Sequence, residues 1–277
     1  MSFFHVVILG VVQGLTEFIP VSSTAHLLVA QYLLKMPAND ATFAFSVLVQ
    51  MGTLISLFLF FWRDLWGIAY ETLANMGNIR KFNNLPLNAK LGWYIVIATI
   101  PALLSGYFFR DFVQALFRTP LFEAAIRFFT ASILLALAEY FDRRLRGLES
   151  MTWLDALVIG LFQIIAVFPG ASRSGTTISG GMFRGFNRED AARFAFLMSV
   201  PVMLAAGAYE MLGVIERPGT HEILPYLIVG LLTSAIVGWL AIRWLMDFLH
   251  NNKHSLYVFS AYCAVAGLCV VLLQWVL

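Results

Sequence analysis

The run Gln13-Gly14-Leu15-Thr16-Glu17-Phe18-Ile19-Pro20-Val21-Ser22-Ser23-Thr24-Ala25-His26 decides how this chain must fold. It interrupts an otherwise apolar stretch, residues 3–34, with two ionisable side chains, a proline and three consecutive hydroxyls. Pro20 ends one helix or starts the next, and the Ser-Ser-Thr run stands where a following helix takes its N-cap. Each arm is about 10 to 15 residues long, short of the roughly 20 that cross a bilayer core. The pattern predicts a re-entrant helix pair, because polar, non-helical backbone at membrane depth survives only where protein or a wet cavity surrounds it.

Residues 154–183 follow the same plan, broken at Gln163 and again over Pro169-Gly170-Ala171-Ser172-Arg173-Ser174-Gly175. Gly10-x-x-Gln13 with Phe18 and Pro20 returns as Gly160-x-x-Gln163 with Phe168 and Pro169, and Phe43-Ala44-Phe45 returns as Phe194-Ala195-Phe196. The shared offset of about 150 residues predicts an internal duplication. One membrane domain, 1–277, is then built from repeats at about 1–141 and 152–277.

Six apolar stretches have spanning length: approximately 43–62, 91–109, 121–140, 194–214, 223–246 and 255–276. Hydrophobic residues make up 60% of the chain, charged residues 12%, and the mean hydropathy is +0.80. A soluble domain carries about a quarter charged residues, so this chain lacks the polar material for a water-facing surface. It reads as an all-α polytopic membrane protein with six transmembrane helices and two re-entrant pairs. Three spans per repeat is an odd number, so the second repeat enters from the opposite face, an inverted topology that lets the two re-entrant tips meet near the midplane. The segments 63–90, 142–153, 184–193 and 243–254 hold twelve Lys and Arg against four (Lys35, Arg110, Arg118, Arg217) on the other side. The positive-inside rule then places those four segments in the cytoplasm and opens the first re-entrant pair to the exterior. The N-terminal run has no basic flank and no small-residue cleavage site, so it reads as retained. A net charge of +2 without a dense basic tract excludes a nucleic-acid partner.

The chemistry lies in the two breaks. Gln13 and Glu17 are i and i+4 and share a helix face. Ionisable groups inside membrane segments are costly and mark function by default, which singles out Glu17 and His26 beside Ser22, Ser23 and Thr24. In the second break the start of a helix at Gly175, with Thr176 and Thr177, offers N–H groups to an anion. Arg173 adds a permanently charged planar fork suited to phosphate oxygens, flanked by Ser172 and Ser174. Weaker candidates have plainer readings: Arg127 pairs with Glu123 one turn earlier, Gln50 points at the site or bonds a neighbouring helix, and Glu210 is interfacial. His5, His221, His250 and His254 fall at helix ends. Cys263 and Cys269 are about 9 Å apart along one helix, too far for a disulfide.

The stretch from Gln13 to His26, together with Pro169-Gly170-Ala171-Ser172-Arg173-Ser174-Gly175-Thr176-Thr177, resembles the bacterial undecaprenyl-diphosphate phosphatase family, the bacitracin-resistance phosphatases. The resemblance covers nearly the whole chain. It implies a hydrolase of the bacterial inner membrane that removes the terminal phosphate of undecaprenyl diphosphate and returns the monophosphate as lipid carrier for cell-wall synthesis. It also implies dependence on a divalent cation, Mg2+ or Ca2+, and functional roles for Glu17, Ser23, His26 and Arg173, with Ser172, Ser174 and Thr177 nearby. Many members carry Glu at the position of Gln13, so this chain lacks one carboxylate and leaves Glu17, with Gln13 beside it, to meet a cation. A separate lipid-phosphatase family needs a His six residues after the Arg of its Ser-Arg motif; here that residue is Ser179.

On this reading Ser23 is the nucleophile, Glu17 the base or metal ligand and His26 the proton donor, with attack by water or by His26 left open. A lipid-phosphate transporter or flippase is the rival, because inverted repeats with broken helices also build transporters. It would not need the Ser23 hydroxyl. The polyprenyl diphosphate and the bilayer are the expected partners, and a homodimer is left open.

Overall fold

The structure, a computed structural model, describes residues 2–37, 40–109, 120–143, 145–167, 171–215, 220–250 and 254–276. Phe168, Pro169, Gly170, Arg110, Arg118, Arg144, Arg217 and Lys253 lie outside the described residues, as do the side chains of Phe43, Ala44, Glu210 and His221. In chain order the helices are α1 (Phe3–Phe18), α2 (Ser23–Leu33), α3 (Asp40–Phe60), α4 (Trp62–Ala74), a 3-10 segment (Met76–Asn84), α5 (Leu87–Phe108) and α6 (Pro120–Tyr140). After a short 3-10 turn (Leu148–Ser150) come α7 (Trp153–Val167), α8 (Arg173–Phe183), α9 (Arg188–Ile215), α10 (Thr220–Leu249) and α11 (Tyr257–Val276). Among the described residues there is no strand, only an isolated bridge between Arg146 and Phe186.

Five of these helices are long and apolar enough to cross a membrane, and α3 with α4 makes a sixth candidate, bent by 78°. The chain is a multi-pass, all-α membrane protein. Beyond the bend, the basic segment 63–90 is largely helical. Phe61 leaves helical geometry at φ −100° and ψ 23°, and the chain continues as α4 with Trp62, Trp66 and Tyr70 exposed on its surface and Ile68 buried beneath. Exposed Trp and Tyr with an apolar inner face suit a helix lying at a membrane–water interface.

Both breaks form the short helix pairs that their length requires. Ser2 caps α1 by accepting the His5 N–H at 3.3 Å, and α1 ends at Phe18, two residues before Pro20. Ser22 caps α2, and Ser172 caps α8. The helices of each pair pack on each other, and each first arm packs on a long helix of the other half: α1 on α10, α7 on α5. Glycine makes both crossings possible. A Cβ on Gly10 would sit 3.1 Å from the Gly230 carbonyl oxygen, and one on Gly160 would sit 2.5 Å from the Ala98 carbonyl oxygen.

The four segments assigned to one membrane face by charge do converge. Arg146 bonds the carbonyl of Arg184 at 2.9 Å, Arg193 pairs with Asp64 at 2.6 Å, and His250 meets Glu189 at 3.2 Å. Beneath them Arg188, buried, binds both carboxylate oxygens of Glu139, which also accepts the Leu256 N–H at 2.6 Å. This knot ties α6, α9 and α11 together far from the serine-rich tips. Cys263 is buried and Cys269 exposed, both as free thiols.

Candidate active site

The two re-entrant tips touch. The Ser22 N–H donates to the Ser172 Oγ at 3.2 Å, and that same oxygen accepts the Gly175 N–H at 3.2 Å to cap α8. Ser174 Oγ lies 3.3 Å from Ser172 Oγ and 3.4 Å from the Ile19 carbonyl. Ser22 itself has a φ of 70°. A non-glycine residue rarely adopts that conformation, and such strain persists only where surrounding contacts enforce it. Here it turns the Ser22 carbonyl toward α2 while its N–H meets the opposite tip.

Glu17 is the hub of the cluster. It sits buried in the last turn of α1, and its carboxylate collects four donors from four parts of the chain. Oε2 accepts from Gln13 Nε2 at 2.7 Å and from Ser23 Oγ at 2.7 Å. Oε1 accepts from Gln50 Nε2 of α3 at 3.1 Å and from Arg173 Nη2 of α8. Residues 156 positions apart in sequence thus share one carboxylate. The Arg173 side chain keeps 22% of its surface exposed. Among the described residues its guanidinium makes this single side-chain bond, leaving further N–H groups for an oxyanion.

The remaining candidates stand around this hub. Thr176 and Thr177 are buried, and their hydroxyls both donate to the Arg173 carbonyl, at 2.9 and 2.8 Å, inside α8. That is the back-bonding expected of Thr within a helix. Thr24 is half-buried on the first turn of α2. His26 lies one turn after Ser23, but its ring nitrogens bond elsewhere: Nδ1 to the Ser22 carbonyl at 2.8 Å and Nε2 to the Tyr262 hydroxyl at 2.7 Å.

Two participants had little or no signal in sequence. Tyr262 reads there as one aromatic in an apolar span. Arg127 does form the expected pair with Glu123, at 2.7 Å and buried, but its Nη1 also donates to the Ala171 carbonyl at 3.1 Å. The helix-surface rule that finds an i, i+4 pair cannot see a partner 44 residues away.

Among the described residues no three His, Cys, Asp or Glu side chains gather as a metal site. Glu17, the Gln13 amide and the Ser23 hydroxyl are hard oxygen donors. They fit a cation such as Mg2+ that takes one or two protein ligands and completes its shell from phosphates and water.

The fold and site define an all-α polytopic membrane protein with a carboxylate, a hydroxyl and an open guanidinium joined across two re-entrant tips. A family model described as bacitracin resistance protein BacA matches residues 6–269, and the chain belongs to that family. It is 39% identical over 275 residues to the undecaprenyl-diphosphatase of Alkaliphilus metalliredigens, covering 98% of each chain. It is also 39% identical to that of Chlorobium phaeovibrioides over 285 residues, covering 99% of this chain and 97% of the relative. With the undecaprenyl-diphosphatase of Mycolicibacterium smegmatis it shares 36% identity over 275 residues, again 99% and 97%.

Proposed function

We propose that this protein is an integral membrane phosphatase that hydrolyses undecaprenyl diphosphate to undecaprenyl phosphate and inorganic phosphate. The product re-enters cell-wall synthesis as lipid carrier, and the family description ties the activity to bacitracin resistance. Membership in the family and the names of near full-length relatives support the activity, and those names speak for hydrolysis rather than transport.

One observation carries the mechanism: the Ser23 hydroxyl donates to one oxygen of Glu17 while Arg173 holds the other. A nucleophile bonded to its base, with a phosphate-binding fork on the same carboxylate, is the arrangement that phosphoryl transfer requires. Glu17 accepts the Ser23 proton as Oγ attacks the terminal phosphorus. The bridging bond breaks, undecaprenyl phosphate leaves, and Arg173 with the α8 N-terminus neutralises charge on the transferred phosphoryl group. Water then hydrolyses the phosphoserine, releasing phosphate and restoring the hydroxyl. His26 is a poorer nucleophile because both its nitrogens are engaged, and serves better as a proton carrier. Glu17 and Gln13 would hold a divalent cation against the pyrophosphate, where it supplies charge neutralisation.

The exchanged packing, α1 on α10 and α7 on α5 with a glycine at each crossing, supports an inverted duplication of about 1–141 and 152–277. The converged basic segments support a cytoplasmic position for that face in the bacterial inner membrane, with the site opening outward. The test is phosphate release from undecaprenyl diphosphate by purified protein. Ser23→Ala should abolish it and a chelator suppress it; wild-type release by Ser23→Ala would sink Ser23 as nucleophile.

A further inference from the structure

The Ser22 carbonyl, 2.8 Å from His26 Nδ1, can only accept, so Nδ1 must carry the proton. A neutral ring then has its lone pair on Nε2, and the Tyr262 hydroxyl, 2.7 Å away, must be the donor. The two rings stack in parallel at 5.7 Å with 3° between planes, and Phe128 of α6 closes on the imidazole edge-to-face at 4.9 Å. Tyr262 comes from α11, 236 residues along the chain, and keeps 49% of its surface exposed. The imidazole is thus held on one side by the strained Ser22 turn and on the other by a phenol from the last helix.

We propose that Tyr262 is a positioning residue for the hydrolysis: it holds His26 as the neutral Nδ1–H tautomer with Nε2 as an acceptor. This rests on the reading that His26 serves proton transfer at the Ser23 site. A second ring nitrogen defines the tautomer of the first, and loss of the phenol hydroxyl leaves Nε2 without its donor while the stacked ring remains. Tyr262 also couples α11 to the first re-entrant tip, so the catalytic tautomer depends on packing between the two ends of the chain.

The experiment compares Tyr262→Phe, His26→Ala and the double variant, using phosphate release from undecaprenyl diphosphate and 15N NMR of histidine-labelled protein in detergent micelles. The His26 resonance is assigned by its loss in His26→Ala. Tyr262→Phe should lower kcat about tenfold with KM within about twofold, the size of one lost hydrogen bond in the transition state. Its His26 15N shifts should move from a single Nδ1–H tautomer to a mixture. In the His26→Ala background the Phe change should cost nothing further, since both act through one ring. Unchanged His26 shifts in Tyr262→Phe, or an undiminished cost in the double variant, would overturn the proposal. Wild-type release by His26→Ala would instead remove His26 from the reaction, and Tyr262 with it, whatever the spectra show.

Discussion

Among the buried carboxylates that bind arginine, Asp155 and Glu17 are held in opposite ways. Asp155, at the start of α7, is fully buried and accepts from Arg146 at 3.0 and 2.6 Å, from Arg184 at 2.6 Å, and from the backbone and hydroxyl of Thr152 at 2.9 and 2.7 Å. Arg146 is itself saturated: it bonds Ser150 and the Arg184 carbonyl and lies 4.6 Å over the Phe186 ring. Burial would push the Asp155 carboxyl up, but hydrogen bonds from Arg146, Thr152 and Arg184 outweigh it and hold the group well below the usual carboxylate range. Glu17 has one guanidinium, two neutral amides and a hydroxyl, and its arginine keeps N–H groups to spare. The Arg146–Asp155 pair is closed by its own neighbours, whereas the Arg173–Glu17 pair keeps the free N–H groups that the proposed phosphate contact uses.

The largest effect is expected at Arg173. Arg173→Lys keeps the charge but loses the fork, and turnover should fall roughly 10²-fold or more at equal folded protein. Phosphate release near wild type would show that charge alone suffices there. At the other carboxylate the effect should move from rate to stability. Asp155→Asn leaves two guanidiniums facing a neutral amide, and should cost on the order of 3 kcal/mol of stability. Thermal unfolding in detergent reads that loss, with turnover per folded molecule little changed; a rate loss equal to that of Arg173→Lys would erase the distinction.

Arg127→Lys lies between the two cases. It keeps charge beside Glu123 but gives up the grip on the Ala171 carbonyl, two residues before Arg173. A drop in kcat of about threefold to tenfold is expected, well short of Arg173→Lys. Parallel kinetics of the two variants would decide how far the second tip needs its support. Acid should have the smallest effect on the clamp. A depressed carboxyl pKa contributes stability that is present above the unfolded value, about 3.9, and lost as pH falls through the folded one. The Asp155 clamp should therefore stay closed down to pH 4 or below, and early loosening seen by hydrogen exchange at residues 146–155 would contradict it.

Composition and periodicity were enough to read an all-α membrane protein. A chain with so few charges cannot face water, and Pro20 with its serine run cannot continue a span. The pairing of Glu17 with Gln13 was also readable, because i and i+4 share a helix face. The bend at Phe61 was not: nothing in Phe-Phe-Trp marks where a helix leaves hydrocarbon, and the turn depends on what α4 packs against. The meeting of Glu17, Gln50 and Arg173 on one carboxylate, the Arg127 hold on Ala171 and the placing of Tyr262 beside His26 were decided only by tertiary structure. Each joins residues from separate parts of the chain. Sequence spacing reports which side chains share one helix face, whereas the angle and depth at which helices cross follow from packing along their whole length.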